Sequence, residues 1–195
     1  TSRARLMMPG NCQWINLQQL GSHSLRRTIQ ASLSAEGAIE GLASTYYYGI
    51  EAADKREGYF AAKDSADYVK AIEDEKSIDI TEYNSFSMKD FTPVVRDVFK
   101  FTKSTDVNGD YIYLNPMLFA HVEASPFVSE KRDLPVEFPN QTQYTVNVVL
   151  DIPEGYVVED KPESCNIKMS DGGLSLLYNI VHQGNKLMLK YSFNL

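Results

Sequence analysis

Apolar and polar side chains alternate along most of this chain, which is typical of β-strands that bury one face. Between residues 25 and 33, one set of alternate positions holds Leu25, Arg27, Ile29, Ala31 and Leu33. The positions between them are polar or charged. Residues 34–37 favour a turn, because the glycine at position 37 adopts a positive φ without strain. Residues 38–48 alternate again, so the pattern predicts a β-hairpin over 25–48.

The pattern becomes helical between about residues 50 and 74. Ala, Glu, Lys and Asp replace the strand formers there, and Tyr68, Val69 and Ile72 form a short apolar stripe at helical spacing. Asp64 or Ser65 is the expected N-cap, since a short polar side chain can accept a hydrogen bond from the first turn. We therefore predict one or two short helices in this stretch.

Strand patterns return at residues 78–83 and 94–102. The Asn108-Gly109 pair then predicts a tight hairpin whose second strand is 111–114. A stretch with four prolines follows and opposes regular structure. These prolines are Pro116, Pro126, Pro135 and Pro139. From residue 143 onward the pattern is again β, with glycine-containing turns between short alternating segments.

These patterns predict an α+β fold that is mostly antiparallel β. We expect a first domain over residues 1–115, built from a hairpin-rich sheet with the helical insertion at about 50–74. We expect a second domain over residues 116–195, a small antiparallel β-sandwich-like unit. The domain boundary is placed at 115/116 because the proline-rich stretch begins there.

Composition narrows the classes of partner. The 195 residues carry a formal net charge of −7. A nucleic-acid partner requires a basic face, so we predict that this chain does not bind nucleic acid. No apolar run approaches the roughly 20 residues of a membrane-spanning helix. The chain begins without Met or a signal peptide, and its first eight residues resemble the interior of a polypeptide. We expect it to belong to a longer protein.

The two cysteines, Cys12 and Cys165, are predicted to be structural. A cysteine nucleophile needs a base that lowers its pKa, together with a group that orients the base. Cys12 precedes a strand-like segment, and Cys165 alternates with Ile167 and Met169, which points it toward an apolar core. The pattern leaves open whether the two cysteines form a disulfide. We predict no catalytic residue in this chain.

No metal-ligand spacing connects the histidines, so we predict surface histidines at His23, His121 and His182. The residues from Asp106 to Asp110 resemble a calcium loop, but their glycine stands at the fourth position instead of the sixth. Met117 also occupies the place where a bidentate Glu is needed. A hairpin turn explains these residues better, and we predict neither a metal site nor a cofactor.

Twelve tyrosines are the feature that best suits ligand binding. The run Tyr46-Tyr47-Tyr48 is compatible with a surface that stacks on sugar or contacts a protein. Consecutive strand residues point to opposite faces, so at least one of the three belongs to the core. Tyr is also a good strand former, which favours a structural role. The sequence pattern assigns no binding residues.

Four stretches resemble a region of bacterial transglutaminase-like exported proteins. This region lies C-terminal to their catalytic core and includes their C-terminal domain of unknown function. The stretches are Tyr48-Gly49-Ile50-Glu51-Ala52 with Arg56; Gly109-Asp110-Tyr111-Ile112-Tyr113-Leu114-Asn115-Pro116; Pro126-Phe127 with Arg132, Pro135-Val136 and Phe138; and Ile152-Pro153-Glu154-Gly155-Tyr156 with Pro162. The resemblance runs in order along residues 10–195.

The resemblance implies a non-catalytic accessory region that packs on or positions a catalytic core absent from this chain. In such proteins the catalytic Cys, His and Asp lie upstream, so no catalytic residue transfers to these positions. The resemblance also implies an exported protein, periplasmic or associated with the cell envelope. The alternative is a free-standing β module that binds glycan or peptide through exposed tyrosines.

The accessory role carries an expectation for the start of the chain. Residues 1 to about 10 should be weakly held, and Trp14 to Leu17 should form a strand on the accessory region beside an apolar patch.

Overall fold

The computed structural model describes residues 3–16, 22–90, 92–119, 131, 140–170 and 172–195. Two helices and a series of strands make up these residues. In chain order they are β1 (Arg3–Met8), β2 (Asn11–Asn16), β3 (Ser22–Leu33), β4 (Ala38–Gly49), α1 (Ile50–Ala61), α2 (Ser65–Lys76), β5 (Asp79–Phe86), β6 (Val94–Ser104), β7 (Asp106–Asn108), β8 (Tyr111–Tyr113), β9 (Gln141–Asp151), β10 (Cys165–Lys168), β11 (Ser175–Gln183) and β12 (Lys186–Asn194).

Eight strands form one sheet in the order β10-β11-β12-β9-β3-β4-β6-β5. Neighbouring strands of this sheet run antiparallel, except that β3 and β9 run parallel, with Arg26 beside Thr145. The pairs β1–β2 and β7–β8 are separate antiparallel ribbons. The predicted α+β fold, β-rich and mostly antiparallel, is confirmed.

The two faces of the sheet differ in burial. The inner face holds the predicted set from β3, and all five of its members are buried: Leu25, Arg27, Ile29, Ala31 and Leu33. Helices α1 and α2 cover this face at one end, where Ala52, Tyr68 and Ile72 join a cluster with strand residues. On the opposite, outer face, the alternate residues of β3 from Arg26 to Ser32 are exposed. The alternation therefore predicted both faces correctly.

The β3–β4 turn requires a glycine for two reasons. Gly37 adopts a φ of +83°, which side chains other than glycine rarely tolerate. A Cβ at this position would also clash with the side chains of Val107 and Thr105. The close approach is held by hydrogen bonds from the Thr105 backbone N–H and hydroxyl to the Gly37 carbonyl, at 3.0 and 2.7 Å. The turn thus fastens the start of β7 to the main sheet.

The sequence predicted one or two helices in this stretch, and two are present; one of the two predicted N-cap residues, Asp64, caps α2. The Asp64 side chain accepts a hydrogen bond of 2.9 Å from the Asp67 backbone N–H, so Asp64 is the N-cap of α2. That helix ends at Ser77, which has a left-handed φ of 51°. Helix α1 starts at Ile50, directly after β4, and its N-cap is Gly49, where φ is +58°. The short loop between the helices lets them cover one end of the inner face.

One core cluster contains residues from both halves of the chain. Phe99 and Phe101 of β6 pack with Phe119 at centroid distances of 6.0 and 4.8 Å. The same cluster includes Leu150 of β9 and Ile180 of β11. Strands β9–β12 therefore continue the main sheet, whereas the sequence predicted a separate sandwich-like unit. Alternation defines one buried face per strand but does not encode which strand lies beside it. The boundary at 115/116 stays a prediction.

The N-terminal ribbon is less buried than the main sheet. Trp14 belongs to β2, as its pattern predicted, but β2 pairs with β1 rather than with the main sheet. Its side chain is 68% exposed, and that of Met7 is 69% exposed. The weak hold expected for residues 1–10 stays a prediction. The following residues lie outside the described part of the chain: Leu17, His121, Asp171 and the resembling residues Pro126, Phe127, Arg132, Pro135, Val136 and Phe138.

Candidate functional site

The two thiols lie on separate elements and are both exposed and unpaired. Cys12 belongs to β2, and Cys165 begins β10 at the edge of the main sheet. The prediction that Cys165 points into an apolar core is wrong, because all four residues of β10 are exposed. Alternation assigns the side chains of a strand to two faces, but it does not show that either face is covered. The structural role predicted for Cys12 also gains no support from burial.

The described histidines lie at different places in the fold. His182 is exposed on β11, which confirms its prediction as a surface residue. His23 is half-buried instead, since β3 begins early enough to place it beside α1. Its Nδ1 lies 3.1 Å from Glu51 Oε1. Among the described residues, no group of three or more His, Cys, Asp or Glu side chains is arranged to hold a metal ion.

The stretch around Glu51 carries part of the resemblance, and its polar side chains make structural contacts with neighbouring elements. Glu51 Oε1 accepts a hydrogen bond of 2.7 Å from the Tyr144 hydroxyl and thereby connects α1 to β9. Burial, followed by this hydrogen bond, raises the pKa of Tyr144. Arg56 donates to the carbonyls of Ser87 and Thr92 at 3.0 and 2.7 Å. These contacts fix α1 and the chain after β5, and they bring no reacting group together.

A buried polar cluster lies under the helices, formed by Arg27, Thr45, Tyr47, Lys55 and Asp97. Asp97 is fully buried on β6, and its Oδ2 lies 3.2 Å from Lys55 Nζ of α1. The same oxygen accepts a 2.9 Å hydrogen bond from the Tyr47 hydroxyl. Arg27 Nε donates to Thr45 Oγ1 at 3.1 Å. The cluster thus ties one helix to three adjacent strands.

The sequence contains one signal for this cluster, in the alternating pattern of β6. Asp97 stands between Val95 and Phe99 at a core-facing position, where a charge needs a partner. The partner, Lys55, belongs to a helix whose packing on the sheet is not visible in the sequence. Only the fold brings the two charges together.

Lys55 is held as a cation. Burial alone would lower the pKa of Lys55, but Tyr47 and Asp97 offset that effect and raise it. Its ammonium group also lies 5.0 Å from the Tyr47 ring centroid and 5.3 Å from that of Tyr68. A nucleophilic lysine must lose its proton, so these contacts favour a structural ion pair over catalysis.

We expect the folded protein to lose stability in alkali because of this cluster. Burial, followed by the charge of Asp97, raises the pKa of Tyr47 to about 12 from its ordinary value of 10.0. The contribution of Tyr47 to the free energy of unfolding is fully present below pH 10. It is lost as the pH rises from 10 to about 12, because the hydroxyl then loses its proton in the folded protein. We expect it to amount to about 2–3 kcal/mol. Urea unfolding across this pH range should show a shallower decline for Tyr47→Phe. Equal declines in the two proteins would contradict the assignment.

The outer face carries an aromatic–arginine row, formed by Arg26, Tyr46, Tyr48, Phe86 and Arg96. Arg96 lies 5.1 Å from the Tyr46 ring centroid and 5.5 Å from that of Phe86. Arg26 lies 5.7 Å from the Tyr48 ring, and the rings of Tyr46 and Tyr48 stack at 6.5 Å. Tyr47 points to the inner face and is buried, as predicted for at least one of the three consecutive tyrosines.

An open groove of about 1190 Å³ lies at the other end of the inner face. Its lining includes the core residues Leu150 and Leu187, together with Tyr111 and Tyr113 of β8 and Tyr156. The second and fourth resembling stretches both contribute to it. The Asn108-Gly109 hairpin predicted from the sequence is confirmed as β7–β8, and it forms part of the wall.

The C-terminal part of the chain has a known sequence relative. Residues 110–195 match the model of DUF3858, a domain of unknown function with a solved structure. The match includes β8 to β12 and most of the groove lining, and it supports the predicted C-terminal domain of unknown function. No curated protein matches the chain. Neither described helix has the length and apolar character needed to cross a membrane.

Proposed function

We propose that this chain is a non-catalytic accessory region that packs on or positions a transglutaminase-like catalytic core of the same polypeptide. We place the parent protein outside the bacterial cytoplasm, in the periplasm or cell envelope. The DUF3858 match falls on the part of the chain where the resemblance expects a domain of unknown function. The separation of Cys12, Cys165 and His182 on different elements agrees with a role other than catalysis.

The observation that carries this proposal is the composition of the outer face of the sheet. Tyr46, Leu42 and Phe86 are 39, 41 and 50% exposed there, and two arginines stack among the aromatic rings. Tyr and Arg are enriched at the energetically important centres of protein interfaces. A sheet face that only contacts water needs no such side chains, so this face suits a partner protein.

A second candidate function is a module that binds glycan or peptide. It is favoured by Tyr111 and Tyr113, whose side chains are 52 and 57% exposed beside the groove. Their ring centroids lie 6.3 Å apart, which suits stacking against a sugar or an apolar side chain. Titration with neutral oligosaccharides tests this alternative. Binding that Tyr111→Ser abolishes would favour the module.

The test of the accessory role is complex formation. The chain is titrated by calorimetry with the separately purified transglutaminase-like core of its parent polypeptide, and we expect a complex of one copy of each. The chain alone should show no transamidase or amide-hydrolase activity, because the described residues place Cys12, Cys165 and His182 on separate elements. Absence of a complex would contradict the accessory role. Activity of the chain alone that Cys12→Ala or Cys165→Ala abolishes would contradict the non-catalytic assignment.

A further inference from the structure

We infer that the aromatic–arginine row is the surface through which this chain binds its partner, and that the partner presents an acidic polypeptide surface to it. The inference rests on the proposed accessory function and names the binding surface and its chemistry. Four observations support it: the register of the row, the unpaired arginines, the local charge and the engaged ring faces.

The register aligns the row across four adjacent strands. Phe86 of β5 lies beside Arg96 of β6, Arg96 beside Tyr46 of β4, and Tyr46 beside Arg26 of β3. Adjacent strands are about 4.8 Å apart, so the backbones that carry the two arginines are separated by roughly 10 Å. The sheet therefore fixes the spacing of the backbone positions from which the two arginines extend.

The two arginines have no acidic partner among the described residues. No ion pair joins Arg26 or Arg96 to a carboxylate within the part of the chain that the structure describes. Arg96 donates one hydrogen bond of 3.2 Å, from Nε to the Ser44 hydroxyl, which leaves its terminal nitrogens available. Guanidinium groups bind carboxylates through paired N–H donors, and stacking on a ring orients them beforehand. Two carboxylates at a matching spacing would complete this surface.

The charge of the outer face points to the same partner. Its strand positions carry six basic side chains, Arg26, Arg96, Lys100, Lys168, Lys186 and Lys190, and four acidic ones, Glu40, Asp79, Glu82 and Asp151. The face is therefore locally basic at +2, although the whole chain carries −7. Two of the lysines are already neutralised by Glu82 and Asp151. On the four strands that carry the row, three basic and three acidic side chains cancel, but they are separated along the strands. Arg26 and Arg96 lie toward one end of these strands, and the acidic Glu40 and Asp79 lie toward the other.

The stacking within the row favours a carboxylate over a sugar. A sugar binds an aromatic platform through a free ring face. Each of the two rings already has a guanidinium over one face, Arg96 over Tyr46 and Arg26 over Tyr48. The N–H donors of the two guanidinium groups are the part of the row that is available to a partner. An acidic polypeptide surface with neighbouring apolar side chains fits both these donors and the exposed ring of Phe86.

The inference is tested with the double variant Arg26→Gln/Arg96→Gln and with Tyr46→Ser. The matched control is Lys100→Gln/Lys190→Gln, which removes the same charge from the same face but outside the row. Circular dichroism and thermal unfolding verify that each variant is folded. Each protein is titrated with the transglutaminase-like core, with poly-L-glutamate and with oligogalacturonate.

We expect the double arginine variant to weaken binding to the core at least about 100-fold, or about tenfold for each arginine, with little change in the control. Tyr46→Ser should weaken it about tenfold. Core binding that is equal in wild type and double variant would overturn the inference and leave the accessory function standing.

The acidic probes separate this inference from the proposed function. If the core does not bind, the accessory function fails. Binding of poly-L-glutamate that the arginine variant loses and the control retains would still support an acidic polypeptide partner. Tighter binding of oligogalacturonate than of poly-L-glutamate, or failure of every probe to bind, would overturn the inference.

Discussion

Replacing Asp97 by Ala should lower the free energy of unfolding by about 3–5 kcal/mol. The substitution leaves the ammonium group of Lys55 buried under the helices without the carboxylate that lies 3.2 Å away. It also removes the acceptor of the Tyr47 hydroxyl. Chemical denaturation followed by circular dichroism measures the change.

The control for this experiment is Glu82→Ala. Glu82 pairs with Lys100 at 2.6 Å, but both side chains are more than half exposed, so its loss should cost at most about 1 kcal/mol. The double variant Lys55→Met/Asp97→Ala should recover much of the lost stability, because it removes the stranded charge as well. Similar costs for Asp97→Ala and Glu82→Ala would show that Lys55 is solvated in the native protein.

Replacing Phe101 by Ala should cost about 3–5 kcal/mol. The Phe101 side chain is 2% exposed and packs against Phe99 and Phe119, with centroid distances of 6.2 and 4.8 Å. Its loss opens a cavity where β6 meets the segment that follows β8. Thermal and urea unfolding measure the change.

Phe60→Ala is the matched control, since this ring on α1 is 61% exposed. We expect it to cost less than about 1 kcal/mol. Equal unfolding midpoints for the two variants would mean that Phe99, Phe101 and Phe119 are not the centre of the core.

Local sequence patterns predicted the strands and helices because each pattern reflects one element and its solvent exposure. The burial of Arg27 could be predicted from its place in an alternating strand. The positive φ of Gly37 could be predicted because glycine favours the turn at that position. The exposure of Cys165 could not be predicted in this way, because it depends on the position of β10 at a sheet edge. Edge and centre are properties of the whole sheet.

The candidate surfaces were harder to predict because they depend on which strands are neighbours. The tyrosine run correctly predicted a core residue among its members, and Tyr47 is that residue. The stacking of Arg96 between Tyr46 and Phe86 requires the β4–β6–β5 register. The Lys55–Asp97 pair likewise requires the packing of α1 on β6. Long-range pairing of this kind leaves no periodic signal in one sequence.

The parallel β3–β9 pair has a consequence for the way this protein reaches its native state. On either side of it, strands β5-β6-β4-β3 and β10-β11-β12-β9 form two antiparallel sets whose members are close in sequence. Joining the sets brings Ser22 beside Gln141, and the entropy of closing so long a loop is compensated only after both partners are ordered. The β3–β9 junction should therefore be the last part of the sheet to form. During synthesis, β3 can pair with β9 only after the C-terminal strands have emerged from the ribosome.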